Sequence, residues 1–415
     1  MLTRRNSIKA AAGVAAAATL GVASRAEAAQ TVKVGISAAL TGADAASAAR
    51  QANGSILALM NANALNEVPG VTFTWEKFDN GTATAGQYDP AQAATNARKM
   101  VSDPSIVAAV GPQMSGDGKA MSPILSAGHL ITITPSSTNP DITDPKFAAI
   151  YRPADNHAPV YFRTVTTDAY QGPNMANFFA EHLKAKKIFI LDDSGAYGVG
   201  ISTAFEGQAK KKGIQVLGHE KLDPKNPDYT AVLTKIKSLN PDSLYYGGVT
   251  MAGAKLAKQS YQILPNIHKG GGDGIVGSDF LTAGGFPAIE GWYATIAGPH
   301  LVGTASKAVG TFTQQFITKF KTVPDDYAVT GYDAAWVIVQ AVKKLVAEKK
   351  PITRDNIRST LLTITVDTLQ GPVAFDANGD IKSRVVSVFQ IREDKAKPLS
   401  DPNAQYAYIG SAPQA

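Results

Sequence analysis

Polar side chains directly follow four predicted strands, and their types suit the binding of a small charged molecule. In open α/β sheets, ligands bind at the carboxyl ends of the strands. Ser115 also opens a predicted helix, whose unpaired N–H groups favour an anion. The four clusters are residues 115–116, 135–138, 192–198 and 278–279, after strands predicted at 106–110, 131–134, 187–191 and 274–277.

Sequence motifs for catalysis or cofactor binding are incomplete. Residues 272–277 match the glycine pattern of dinucleotide-binding proteins, but a polar loop precedes them instead of a strand. Residues 116–119 resemble part of a phosphate-binding loop, but Gln113 and Ala120 replace its first glycine and its magnesium-binding hydroxyl. The six histidines are widely spaced, and the sequence has neither a cysteine nor a nucleophile elbow. We therefore expect no enzyme activity, no cofactor and no metal.

The first 28 residues have the three parts of an export signal. Arg4, Arg5 and Lys9 form a basic region, residues 10–23 are small and apolar, and residues 26–28 offer a cleavage site. The paired arginines indicate a twin-arginine signal, with ordinary secretion as the alternative. The apolar run is shorter than the roughly 20 residues that cross a bilayer. We expect cleavage near Ala28 and a periplasmic mature chain.

Length and charge limit the architecture and the partners. A mature chain of about 390 residues exceeds what one hydrophobic core supports, so two lobes are expected. The formal net charge is +6 and falls to +3 without residues 1–28, and the basic residues are scattered. A nucleic-acid partner is therefore not expected.

Short β-branched strands alternate with helical segments along the chain after Thr31. Asp89 and Pro90 give one helix an N-cap and a proline at its first position. Such alternation predicts an α/β fold with parallel sheets covered on both faces. Late helices at 305–321 and 327–349 fit either lobe, as do late strands at 373–375 and 385–391. The other predicted strands are 32–36, 71–78, 106–110, 131–134, 187–191, 214–217, 243–246 and 274–277.

The chain resembles the periplasmic branched-chain amino acid-binding proteins of ABC importers, the Leu/Ile/Val type. This resemblance implies a type I periplasmic binding protein fold, with two Rossmann-like lobes that have parallel-sheet cores and are joined by three crossovers. The crossovers are expected near Thr166, Gly298 and Lys382. The resemblance rests on the order and spacing of residues 34–35, 40–42, 111–115, 135–138, 197–198, 244–248, 290–291, 371–372, 375–376 and 379–380. The expected domains are 1–28 (signal), 29–165 plus 299–382 (lobe 1), 166–298 plus 383–396 (lobe 2) and 397–415 (a C-terminal tail, loose from residue 401).

The resemblance also implies roles for individual residues. Ser115 and Thr138 would bind a ligand carboxylate, while the Ser136 carbonyl and the Asp279 carboxylate would bind its ammonium group. Tyr197 would close over the ligand from the second lobe. A zwitterion needs donors at one end and a carboxylate at the other, so this assignment is chemically coherent. Three further residues complete the candidate set: Gly116, Ser137 and Thr250.

Several positions depart from the Leu/Ile/Val type. Ser47 stands where that type has an aromatic residue, and Val249 and Thr250 replace an aromatic residue and its neighbour. Met114 stands where the best-known members have a disulfide cysteine. With fewer aromatic groups, the preference for a ligand side chain stays open. We expect an aliphatic amino acid, with aromatic amino acids, small amides and aromatic acids as alternatives.

The resemblance implies a monomeric periplasmic solute-binding protein of an ABC importer. It would hold an amino acid, branched-chain or otherwise hydrophobic, between its lobes and deliver it to an inner-membrane permease. Two other functions stay open on the same fold: a ligand-presenting subunit of a sensor, and an exported α/β enzyme. The incomplete catalytic motifs disfavour the enzyme.

Overall fold

The computed structural model describes residues 30–415, so the predicted export signal lies outside the described residues. Sixteen strands occur in this range. They are β1 (Gln30–Ala38), β2 (Val71–Asp79), β3 (Gly81–Thr82), β4 (Gln87–Tyr88), β5 (Ile106–Val110), β6 (Ile131–Thr134), β7 (Tyr161–Arg163), β8 (Lys187–Asp192), β9 (Gln215–Lys221), β10 (Ser243–Gly247), β11 (His268–Gly271), β12 (Tyr293–Ile296), β13 (Val366–Thr368), β14 (Gly371–Val373), β15 (Ser387–Ile391) and β16 (Tyr406–Ser411).

Thirteen α-helices occur in the same range. Helix α2 begins as predicted, because Asp89 accepts a hydrogen bond from the Ala91 N–H and Pro90 occupies the first turn. The helices are α1 (Ala45–Ala64), α2 (Pro90–Ser102), α3 (Ser115–Ala127), α4 (Ala148–Tyr151), α5 (Asp168–Glu181), α6 (Ala196–Lys211), α7 (Thr230–Ser238), α8 (Thr250–Ile263), α9 (Ser278–Gly284), α10 (Lys307–Phe320), α11 (Asp326–Ala347), α12 (Arg354–Leu361) and α13 (Pro402–Gln405).

The first sheet is parallel and has the order β2-β1-β5-β6-β7. Val34, Val110 and Ile133 on its strands share one buried cluster with Val337 and Ile338 of α11. Burial of apolar surface stabilises this packing at about 25 cal/mol per Å². The late helix α11 therefore completes the first sheet, and we call this unit lobe 1.

The second sheet has the order β16-β15-β12-β11-β10-β8-β9 and forms lobe 2 with its helices. Its strands are parallel except for β15 and β16, since β15 runs antiparallel to β12 and β16 antiparallel to β15. Ile188 and Ile190 of β8 lie in one buried cluster, while Phe189 and Leu191 lie in another. Both faces of the sheet are therefore covered, and the predicted α/β class with parallel-sheet cores is confirmed.

The chain passes between the two sheets three times. Residues 164–167 join β7 to α5, residues 297–306 join β12 to α10, and residues 382–386 lead into β15. The first two connections lie side by side, because Thr166 N donates to Ala297 O at 2.9 Å. The domain boundaries given by the sequence stay a prediction. Among the helices of residues 30–415, none combines the length and the apolar character that a membrane span needs.

The strand predicted at 274–277 is wrong. The strand at this place is β11, His268–Gly271, and Asp273–Ile275 forms a 3-10 turn after it. Strand β11 consists of polar and glycine residues, so it has no alternating apolar pattern, and its pairing with β10 and β12 holds it in place. The prediction therefore put the carboxyl end of this strand six residues too late.

The prediction of a loose tail at residues 401–415 is also wrong. Residues Tyr406–Ser411 form β16, which pairs with β15 over five residue pairs with one irregularity. The Tyr406 ring is buried, and its hydroxyl donates to Ile275 O. Neighbouring backbone and a buried aromatic group thus order a segment whose composition alone gives little strand signal.

Candidate functional site

A cavity of about 50 Å³ lies between the two lobes. One water molecule needs roughly 10–15 Å³, so the cavity suits a small molecule. Residues of both lobes line it: Asp44, Ser47, Gln51, Gln113, Met114, Ser115, Ser136, Tyr197, Val249, Thr250, Asp273, Gly274, Val276 and Tyr327.

The lobe 1 side of the cavity contains the start of helix α3. Ser115 is the first residue of α3, and the preceding Met114 supplies no side-chain cap. The first N–H groups of a helix lack acceptors within the helix, and the helix dipole adds partial positive charge there. Ser115 itself is buried, and its Oγ accepts from Asn139 N at 3.2 Å. This end of the cavity is suited to a carboxylate.

A buried arginine fixes the loop behind Ser115. Arg163 donates to Ser137 O at 2.5 Å and to Asn139 O at 2.8 Å. Its Nε also donates to Asp380 Oδ1 at 2.7 Å, so the guanidinium charge is already paired. Arg163 does not line the cavity. It therefore positions the loop rather than offering a charge to a ligand.

The opposite side of the cavity contains Asp273, directly beyond the end of β11. Its Oδ1 accepts from Tyr197 Oη at 2.7 Å and from Gln171 Nε2 at 2.9 Å. Its Oδ2 accepts from Tyr327 Oη at 2.7 Å. All three partners are neutral, and an ionised carboxylate has about four acceptor positions, so one position remains for a ligand donor.

A second buried carboxyl group lies next to Asp273. Gln171 Nε2 also donates to Asp168 Oδ1, at 3.1 Å. Burial raises the pKa of both carboxyl groups, and the charge of Asp273 raises the pKa of Asp168 further. Two buried carboxylates side by side repel each other, so this pair favours a proton on one of them or a bound cation beside them.

Asp44 is the other acidic residue that lines the cavity. It stands at the N-cap position of α1 but makes no side-chain cap there. Its Oδ1 accepts from Thr250 N at 3.4 Å, across the lobes, and its Oδ2 has no hydrogen-bond partner within residues 30–415. Burial raises the pKa of Asp44 to about 7, helped by the charges of Asp279 and Asp193.

Asp279 instead lies at a contact between the lobes outside the cavity lining. Its carboxylate accepts from Ala46 N at 3.1 Å, from Ser47 N at 2.8 Å and from Ser47 Oγ at 2.6 Å. Next to it, Arg50 Nη1 donates to Ser278 Oγ at 2.6 Å. Asp279 of lobe 2 thus caps helix α1 of lobe 1.

The structure brings together only part of the predicted ligand set. Ser115, Ser136, Tyr197 and Thr250 line the cavity. Ser136 Oγ lies 2.8 Å from Gln51 Oε1 and 3.0 Å from Gln113 O. The contact of each predicted residue with a ligand stays a prediction. Four predicted residues do not line the cavity: Gly116, Ser137, Thr138 and Asp279.

Three of these four residues form the layer behind Ser115. Ser137 Oγ lies 3.3 Å from Ser115 Oγ, and Thr138 is buried with no hydrogen-bond partner for its Oγ1 within residues 30–415. Gly116 packs on an aromatic ring, because a Cβ there would lie 2.9 Å from Tyr88 Cε2. Their small side chains let the helix start and the loop approach each other.

Sequence reasoning missed Asp273 and Asp44 as cavity residues. Asp273 could have been predicted, since it is the first acidic residue after β11. The strand was instead predicted at 274–277, so Asp279 was taken as the acidic residue that follows it. Asp44 has the sequence signature of an ordinary N-cap, so its orientation toward the other lobe has no local signal.

One group of possible metal ligands lies away from the cavity, on the surface of lobe 1. Ligand atoms of His129, Asp155 and Asp355 lie within 4.8 Å of one another. Arg358 Nη2 binds both aspartates, and His129 Nδ1 lies 2.9 Å from Asp355 Oδ1. These contacts account for the group as an ion-pair network without a metal.

Comparisons with known proteins match the chain over nearly its whole length. A "Leucine-, isoleucine-, valine-, threonine-, and alanine-binding protein" of Pseudomonas aeruginosa is 29% identical over 387 residues, which cover 92% of this chain and 96% of that protein. A crystal structure of a leucine-binding protein from Thermotoga maritima has a TM-score of 0.78 at 23% identity, with 92% of this chain and 98% of that chain covered.

The same fold also occurs in a protein with a different kind of ligand. A solute-binding protein of an ABC transporter from R. palustris, in complex with benzoate, has a TM-score of 0.74 at 19% identity. The match covers 93% of this chain and 97% of that chain. The predicted type I periplasmic binding protein fold is thus confirmed, while the fold alone does not select a ligand. The family described as "Periplasmic binding protein" matches residues 31–397, so the chain belongs to that family.

Proposed function

We propose that the protein is the periplasmic solute-binding component of an ABC importer and that it holds an amino acid in the cavity between its lobes. The observation that carries this proposal is the chemistry of the two cavity ends. The start of α3 with Ser115 suits an anion on the lobe 1 side, and Asp273 suits a cation on the other side. An α-amino acid presents these two charges a short distance apart.

In the bound form, the ligand carboxylate accepts from the first N–H groups of α3 and from Ser115 Oγ. The ligand ammonium donates to Asp273, whose carboxylate is held by Tyr197, Gln171 and Tyr327. Because these partners come from both lobes, the ligand favours the closed arrangement. A permease in the inner membrane then receives the closed, loaded form.

Similarity supports an amino acid of small or branched-chain size. The P. aeruginosa relative is named for leucine, isoleucine, valine, threonine and alanine. An aromatic acid such as benzoate, bound by the R. palustris protein, suits this cavity less well. The cavity lining contains two aspartates and no lysine, arginine or histidine, so a ligand with only negative charge would be repelled.

Calorimetry with matched ligands tests the proposal. The mature chain is unfolded and refolded to remove carried-over ligand and is then titrated with each of the common amino acids. Each binder is compared with the acid that lacks its α-amino group and with the amine that lacks its carboxylate. We expect both truncated compounds to lose roughly 30-fold or more in affinity, because each leaves one buried group of the site without its partner.

Benzoate and 4-hydroxybenzoate serve as contrasting ligands in the same titrations. Tight binding of an aromatic acid together with no binding of any amino acid would contradict the proposed ligand class. Uptake of the identified amino acid by cells with and without the gene tests the transport role. Unchanged uptake in the deletion strain would contradict that role.

A further inference from the structure

We propose that the Asp44 carboxylate accepts a hydrogen bond from the side chain of the ligand. The protein would therefore bind amino acids whose side chain donates a hydrogen bond, such as threonine or asparagine, more tightly than apolar amino acids of the same shape. This inference rests on the proposed amino acid-binding function and refines it. It concerns a part of the cavity that neither charged end of an amino acid needs.

The position of Asp44 at the N-terminus of α1 is the first step. Aspartate is a preferred N-cap residue, and capping its own helix would satisfy its carboxylate locally. Here Asp279 from lobe 2 makes the capping bonds to Ala46 N and Ser47 N instead. The Asp44 carboxylate is thereby free to line the cavity, where it is 5% exposed.

The second step concerns two buried side-chain oxygens that accept no hydrogen bond. Asp44 Oδ2 has no hydrogen-bond partner within residues 30–415, and neither does Gln113 Oε1, which also lines the cavity. A buried acceptor without a donor costs free energy, more so for a carboxylate. Two such atoms at one cavity indicate that the occupant supplies the donors.

The third step separates Asp44 from the ammonium site. The Asp273 carboxylate is bound by Tyr197, Gln171 and Tyr327, whereas within residues 30–415 the Asp44 carboxylate accepts a hydrogen bond only from Thr250 N. The two carboxyl groups thus belong to different hydrogen-bond networks. With the α-ammonium at Asp273, Asp44 faces the remaining part of the ligand.

The surrounding wall fits a short, partly polar side chain. Ser47, Gln51 and Thr250 offer polar groups, while Met114 and Val249 offer apolar surface. Burial raises the pKa of Asp44 to about 7, and a ligand donor at Oδ2 favours the ionised form. A hydroxyl or amide donor can satisfy Asp44 while the methyl or methylene part of the side chain contacts the apolar wall.

Two pairs of ligands of nearly equal shape test the inference by calorimetry. Threonine is compared with valine, and asparagine with leucine. We expect the donor-bearing member of each pair to bind roughly tenfold or more tightly, because its apolar partner leaves Asp44 without a donor. Tighter binding of valine and leucine, or equal binding within the pairs, would overturn the inference and leave the proposed function intact.

The variant Asp44→Asn tests whether Asp44 causes the preference for side chains that donate a hydrogen bond. It keeps an acceptor for Thr250 N and the shape of the side chain, and it replaces the acceptor at Oδ2 by a donor. The preference for threonine over valine is expected to fall to about twofold or less. The matched control Asp279→Asn should change both affinities by the same factor, because its side-chain oxygen still accepts an N–H of α1 and the residue does not line the cavity.

An unchanged preference in Asp44→Asn would overturn the role of Asp44. If that variant does not fold, the ligand pairs on the unmodified protein still decide the inference. If no amino acid binds at all, the proposed function fails instead, so the two failures are distinguishable.

Discussion

The cavity and the lobe contact beside it each contain an aspartate from one short stretch of lobe 2, but the two carboxylates have different partners. Asp273 is held by two phenol hydroxyls and an amide, all neutral. Asp279 accepts from two backbone N–H groups and a hydroxyl at the start of α1. The helix dipole already stabilises Asp279, whereas Asp273 gains most from a cationic ligand group. The comparison thus assigns ligand recognition to Asp273, as proposed above, and contact between the lobes to Asp279.

Replacement of Asp273 should have the largest effect. Asp273→Asn keeps the shape of the side chain but removes the negative charge to which the ligand ammonium is proposed to donate. Affinity for the amino acid should fall by about 2–5 kcal/mol, measured by calorimetry. Asp279→Asn is the matched control, with the same chemical change outside the cavity lining. If the control abolished binding and Asp273→Asn did not, the two roles would have to be exchanged.

The pH dependence of stability tests the burial of Asp44 in the cavity lining and of Asp193 in lobe 2. Burial raises the pKa of Asp44 to about 7 and that of Asp193 to about 6, well above the value of about 3.9 in an unfolded chain. The folded chain therefore keeps these protons longer. Their stabilising contribution is complete below about pH 4 and is lost as the pH rises through 6 and 7.

We expect the free energy of unfolding of the ligand-free chain to decrease between pH 5 and pH 8. The slope per group is about 1.4 kcal/mol per pH unit while the folded group stays protonated. Urea unfolding at each pH measures it, and Asp44→Asn should show a shallower decrease. An increase in stability over this interval would contradict the burial of these groups.

Much of the fold was predictable because its signals are local. The strands at 106–110 and 131–134 have apolar or β-branched residues throughout and were placed correctly. Strand β11, with the sequence His-Lys-Gly-Gly, has no such pattern and owes its conformation to the neighbours β10 and β12. Strand β16 likewise depends on β15. Elements that tertiary contacts impose are thus the ones that sequence reasoning missed.

In the candidate site, too, residues with a local sequence signal could be predicted, and residues placed by tertiary contacts could not. Ser115 opens a helix after a clear strand, so its place at the cavity could be predicted. Asp273 was missed because the strand before it was misplaced. Asp44 was missed for another reason, since its orientation depends on Asp279 taking over its local capping role from the other lobe. No local sequence pattern indicates that a residue of the other lobe caps a helix in place of the helix's own N-cap residue.

A glycine at the lobe contact offers a test of closure that leaves the cavity side chains unchanged. Gly277 has a φ of +150°, and a Cβ there would lie 2.3 Å from Ser47 Oγ of the other lobe. Gly277→Ala should hold the lobes apart and lower ligand affinity by about 1–2 kcal/mol, by calorimetry.

The control for this variant is Gly213→Ala in the same lobe. Gly213 also has a positive φ, +77°, but a Cβ there would meet no atom within 4 Å. This variant should cost about 1 kcal/mol of stability with unchanged affinity. Equal loss of affinity in both variants would indicate that backbone strain, not lobe contact, causes the effect.

Replacement of Asp279 should have the smallest effect on binding. Asp279→Asn removes a negative charge from the start of α1, which is worth about 0.3–1 kcal/mol. The side-chain oxygen still accepts one N–H, so α1 keeps part of its cap. Affinity depends on this contact only through the fraction of closed protein, so a decrease of about twofold to fivefold is expected. The decrease should be the same for every amino acid that binds, because Asp279 does not line the cavity. A ligand-dependent decrease, or a loss near that of Asp273→Asn, would place Asp279 in the site after all. That outcome would return the ammonium to the residue that the family resemblance implied and would make Asp273 a buried structural group.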